Sequence, residues 1–70
     1  MTTQEVTEKI EEAKYQSEAI QACATAYYLD MWGDPPGQFD LTRIGNALID
    51  RFGRTTARKI EKQAKTIANS

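Results

Sequence analysis

The only two prolines of the chain, Pro35 and Pro36, stand side by side at its midpoint. No regular α-helix passes through such a pair, because proline lacks the N–H donor and its ring collides with the preceding turn. The chain is therefore built from one segment ending near Gly33 and another beginning near Asp40. Each segment has to supply its own start, its own stop and its own buried face.

Both segments carry helical signals. Thr2 with Glu5 three residues later forms a capping-box pattern, and Met1 and Val6 occupy the positions of a hydrophobic staple. Val6, Ile10, Ala13, Ser17, Ile20, Ala24, Tyr27 and Met31 then recur at alternating steps of four and three. That is a heptad seam, interrupted only by Ser17. Gly33 supplies a C-terminal stop ahead of the prolines. In the second segment Asp40 is a good N-cap, with Phe39 and Ile44 as the staple pair. Leu41, Ile44, Leu48, Phe52, Thr56, Ile60, Ala64 and Ile67 follow at steps of three or four. The phase runs straight through Gly53, whose cost inside a helix, about 1 kcal/mol relative to alanine, is one that a packed face can outweigh.

The periodicity thus predicts an all-α chain with a single domain over 1–70: one helix over about 3–32, a bend at 33–39 and a second helix over about 40–68. Helices of that length are about 45 Å long, whereas a compact domain of this size spans roughly 30 Å. A long antiparallel helical hairpin is the expected shape. A chain this short buries only about 60% of its unfolded surface. It has one cysteine, Cys23, and no histidine, so neither a disulfide within the chain nor a closed zinc site is at hand to reinforce it. Oligomerisation remains, and a homodimeric four-helix-type bundle is expected. Leu41, Ile44, Leu48 and Phe52 form one apolar edge of the second helix. The self-association surface is assigned to the other edge, Gly45, Ile49, Gly53 and Ile60, where glycines admit close backbones.

Charge is divided along the chain. Residues 2–18 carry five glutamates and two lysines, a balance of −3, while residues 51–69 carry six bases against Glu61, a balance of +5. A hairpin lays these segments side by side, with the acids near a helix N-terminus and the bases near a C-terminus, the favourable sense for both dipoles. Glu5–Lys9, Asp50–Arg54 and Glu61–Lys65 add acid-first pairs within each helix.

The residue types argue against chemistry. There is no histidine to act as a base, Cys23 sits in the apolar context "QACATA" without an activator, and the four glycines are scattered rather than gathered into a phosphate loop. Glu5, Glu8 and Glu12 share a face that reads as solvated acid rather than as a cation site. No enzyme activity and no cofactor or metal are expected. The charged N-terminus lacks a signal-peptide core, and no apolar run approaches the ~20 residues of a membrane span, so a cytoplasmic protein without a membrane partner is expected.

The leading expectation is a protein-binding module, an accessory, inhibitor or adaptor factor of the kind phages also encode. Its contact surface is assigned to Tyr28, Trp32, Pro35 and Phe39 around the bend, since tryptophan and tyrosine bury large area with few rotors to freeze. An alternative is a nucleic-acid-binding regulator using Arg54, Arg58, Lys59, Lys62 and Lys65 of the second helix. With a turn at Gly53, "LTRIGNALIDRFGRTTARKIEK" resembles a helix-turn-helix motif, although Lys59 stands where that family places an inward apolar residue. A further alternative is an oligomer that sequesters a flat anionic ligand such as a nucleotide. Tyr15 and Tyr27 would stack on that ligand, and Arg43 and Arg51 would meet its phosphate.

Overall fold

The computed structural model describes all of residues 1–70 and is helical without strands, but it has four helices rather than two. α1 (Thr3–Glu12) begins where the capping pattern places it. The Thr2 Oγ1 accepts the Glu5 N–H at 3.2 Å, and Glu5 Oε1 accepts the Thr2 N–H at 3.1 Å. α1 stops at Ala13, whose backbone turns extended at φ −63° and ψ 127°. Arg51 Nη2 donates to the Ala13 carbonyl at 2.7 Å, so an oxygen that would have continued the helix is satisfied by a guanidinium instead. α2 (Gln16–Trp32) starts after Tyr15, itself extended. The split falls just before Ser17, the one polar residue of the seam.

The bend is organised by Asp30. Its carbonyl accepts the Gly37 N–H at 2.7 Å, and its Oδ1 accepts the Phe39 N–H at 3.1 Å. At the end of α2 the Gly33 N–H meets the Leu29 carbonyl at 2.7 Å, and a Cβ on residue 33 would collide with that same oxygen. α3 (Leu41–Phe52) is capped by Asp40, which accepts the Arg43 N–H at 3.1 Å. Asp40 also donates its own N–H to Thr3 Oγ1 at 3.1 Å, tying the bend to the start of α1.

The second correction is at Gly53, where φ is +86° and ψ 160°. Only glycine reaches that region without strain. The helix expected over 40–68 therefore turns a corner, and α4 (Arg54–Ala68) folds back over α3. Two hydrogen bonds hold the corner, Gly53 N–H to the Ile49 carbonyl at 2.8 Å and Ala57 N–H to the Gly53 carbonyl at 2.9 Å.

With two corners and a bend, the helices pack as a ring: α1 against α2 and α3, and α4 against α2 and α3. α1 and α3 run one way, Thr3 beside Asp40 and Ala13 beside Arg51. α2 and α4 run the other, Cys23 near Glu61 and Tyr27 beneath Lys65. The extents are 31 × 24 × 18 Å, so the chain is not the 45 Å rod that uninterrupted helices would make. Val6, Ile10, Ile44, Leu48 and Ile60 are fully buried at the centre. At about 1.5–3 kcal/mol for each such side chain they contribute on the order of 10 kcal/mol.

Replacing Gly53 by alanine is expected to cost roughly 1–3 kcal/mol, since the new Cβ must occupy a conformation that side chains avoid. Urea unfolding followed by circular dichroism measures it. An unchanged midpoint would mean that α3 and α4 do not turn at Gly53.

Candidate functional site

The last two turns of α2 put Tyr28 and Trp32 four residues apart on one outward face. Trp32 is 69% exposed and Tyr28 53%, and Pro35 beyond them is exposed as well. Phe39 is different: only 7% of it is accessible. Its backbone is held by Asp30 and its ring joins the core, so the staple role expected of it displaces the contact role. Three of the four residues assigned to the bend surface thus face outward, and the fourth braces them from inside.

Residues that sequence reasoning placed in the buried seams join this surface. Met31, Leu41 and Ile67 are each 40–45% exposed. Two grooves run beside the end of α4, and Ala68 lines both. One is bordered by Tyr28, Leu29 and Ile67 and reaches back to Gln21 along α2. The other is bordered by Met31, Leu41 and Tyr27, with Asp30 and Lys65 at its edge. All three seam residues lie within two residues of a helix end on the bend side of the bundle, where a helix runs out of neighbours to cover it. That is the signal that would have found them.

The expected self-association edge is covered only in part. Ile60 is 1% exposed and belongs to the core. Ile49 packs against that core, and Gly45 lies so close to α4 that a Cβ there would meet Glu61 Oε1 at 3.3 Å. Gly53 serves the corner. Folding α4 onto α3 takes Ile60 into the core and leaves Gly45 and Ile49 half-buried and Gly53 exposed.

The residues considered for a flat anionic ligand are not brought together within the chain. Tyr15 is exposed at the α1–α2 corner, while Tyr27 is buried under Lys65, whose Nζ stands 5.9 Å above its ring. Arg43 bonds to Gln4 Oε1, and Arg51 holds the Ala13 carbonyl while lying over the Phe52 ring at 4.9 Å. Both guanidiniums are engaged at opposite ends of α3. The largest hollow, about 400 Å³ between α1 and α2, is lined by Met1, Lys9, Glu12, Glu18 and Gln21 among others and includes none of these four.

The electrostatic layout also departs from the hairpin expectation. α1 packs on α2 and α3, so its glutamates do not lie along the bases of α4. Asp50 and Arg54 fall on opposite sides of the Gly53 corner. The Glu5 carboxylate is spent on the capping box. Arg54, Arg58, Lys59, Lys62 and Lys65 are all exposed. Arg54 opens α4 at the positive end of that helix dipole, while Lys65 lies in its last turn, the favourable negative end.

Cys23 is wholly buried, as its apolar context suggested. Burial first, and the neighbouring Glu61 charge second, push its thiol up to about 12 from 9.0. The shift is opposite to the one a nucleophile requires. Burial, then Cys23 and Glu61, likewise raise the Tyr27 hydroxyl. No group of three or more histidine, cysteine, aspartate or glutamate side chains is placed to hold a metal ion, and no helix is long and apolar enough to cross a membrane.

No protein-family model matches the chain, and no curated protein or solved structure is significantly similar to it.

The Cys23 environment makes a measurable statement. With burial raising the thiol from 9.0 to about 12, its thiolate is scarce at pH 8, so a disulfide-exchange probe is expected to label the native protein far more slowly than the urea-unfolded chain. Comparable rates in the two states would place Cys23 at the surface.

Proposed function

We propose that the chain is a non-enzymatic binding module that docks a partner protein through the apolar end of its bundle, as an accessory, inhibitor or adaptor factor. The observation that carries this reading is the gathering of Trp32, Tyr28, Met31, Leu41 and Ile67 at one end of a 70-residue chain, each 40–69% exposed. Single exposed apolar residues are ordinary on protein surfaces, whereas clustered ones mark contact sites. Trp32 and Tyr28 have the chemistry of interface anchors. Asp30 and the buried Phe39 ring hold the bend beneath them, so the surface is preorganised and a partner need not order it. The mechanism is occupation: the module covers an apolar patch on its partner and performs no reaction.

Trp32 is the only tryptophan, so its fluorescence reports the surface directly. Titrating a purified partner against the wild type is expected to shift Trp32 emission to the blue as the indole leaves water. Trp32→Ala is expected to weaken binding, read by calorimetry, by at least about tenfold, as a hot-spot truncation does. Its unfolding midpoint should stay within the ±0.5 kcal/mol typical of surface changes. Phe39→Ala should instead destabilise the fold by about 3–5 kcal/mol, the usual cost of emptying a buried aromatic site. Full affinity in Trp32→Ala, or its unfolding, would remove Trp32 from the contact surface.

A further inference from the structure

We infer that the outer face of α4 is a second docking surface, and that its occupant is the phosphate backbone of duplex DNA. The face carries Arg54, Arg58, Lys59, Lys62 and Lys65, all exposed, over about 16 Å of helix at 1.5 Å per residue. Its acid neighbours lie at its edges: Glu61 lines a groove with Arg54 and Arg58, and Asp30 lines one with Lys65. The one acid of α4, Glu61, is half-buried and turned toward α3, close enough that a Cβ on Gly45 would touch its carboxylate. The acidic helix α1 packs on the other two helices, so the bundle does not neutralise this face from within.

The placement of one charge works against its helix. Arg54 stands at the positive end of the α4 dipole, where no side chain caps the helix, whereas Lys65 lies in the favourable last turn. A cation at the positive end weakens a helix by a fraction of a kcal/mol. Local rules broken at such a cost tend to mark functional surfaces.

The chemistry of the face selects the occupant. Three of the five cations are lysines, a residue type depleted at protein–protein interfaces and frequent at phosphate. Between them lie threonines and a glutamine, with no apolar anchor and no aromatic ring on which an unpaired base would stack. At 3.6 residues per turn the cations spread over an arc of about 140°, from Arg54 at one edge to Lys59 at the other, with Thr55 and Thr66 between them. That disposition fits a helix lying in a groove with phosphates on both walls. A helix is 10–12 Å across with its side chains. The B-form major groove, about 12 Å wide, admits it, while the deep, narrow major groove of A-form RNA does not. The face meets the apolar end at Lys65, which edges the groove of Met31 and Leu41, while Arg54 opens α4 at the opposite end of the helix.

The test is fluorescence anisotropy of a labelled 20-base-pair DNA duplex with the full chain, across a salt series. Neutralisation of four to five phosphates predicts a slope of log K against log salt of about −4. The double variant Arg58→Glu/Lys62→Glu, changed only at exposed positions, is expected to retain wild-type circular dichroism, bind at least tenfold more weakly at 50 mM salt and show a slope shallower by about 2. Trp32→Ala is expected to bind DNA as the wild type does, which separates this result from any failure of the protein-binding reading. Four outcomes would overturn the inference: no duplex binding at 50 mM salt, binding indifferent to the charge reversal, equal affinity for polyglutamate, or equal affinity for an RNA duplex. Salt-sensitive self-association by light scattering, lost in the double variant and unaccompanied by duplex binding, would assign the face to a second copy of the chain instead.

Discussion

The backbone of Gly53 is the constraint on which the rest of the structure depends. With φ at +86° the chain reverses between α3 and α4, and that reversal is what lets Ile60 meet Ile44 and Leu48 in a single molecule. The Arg51 side chain, two residues before the corner, reaches the Ala13 carbonyl at the other reversal, between α1 and α2. One short stretch of sequence, Arg51 to Gly53, therefore takes part in both departures from continuous helix. The same fold-back brings Gly45 and Ile49 under α4 and leaves both half-buried.

Local signals were the legible part of the fold. The Thr2 box, the Asp40 cap and the stop at Gly33 are each decided within four residues, and the structure forms all three. The two corners were hidden for a common reason. A heptad phase that continues across a break puts the same residues on the core whether the helix runs on or folds back, so Val6 to Tyr27 and Ile44 to Ala64 look alike in both cases. Gly53 was visible as a weak point and became a corner. The other break falls at 13–15, before Ser17, where the guanidinium of Arg51, 38 residues from Ala13, meets the Ala13 carbonyl, a contact that periodicity does not report. At the candidate site, Tyr28, Trp32 and Pro35 were legible because large apolar residues beside a bend find little cover. Met31, Leu41 and Ile67 were missed because a seam was treated as buried along its whole length, although its ends have fewer neighbours.

The corrected fold redistributes charge as well as shape. In a hairpin the acids of the first segment would have masked the bases of the second. In the bundle α1 does not pack on α4, and the chain, though nearly neutral overall, has an acidic helix and a basic helix on separate supports. An apolar end near the bend and a cationic flank along α4 follow from the same corner at Gly53. Both surfaces are defined by what the core did not need.

The most direct measurement is the distance between the two arms of that corner. Spin labels at Thr42→Cys and Thr66→Cys, both exposed positions, in a Cys23→Ala background read it by pulsed dipolar spectroscopy. Folded back, α3 and α4 are packed neighbours 8–10 Å apart, and with label linkers the distance is expected below about 20 Å. A continuous helix would separate the two sites by about 36 Å at 1.5 Å per residue. A narrow peak near that value would contradict the four-helix account and restore the hairpin.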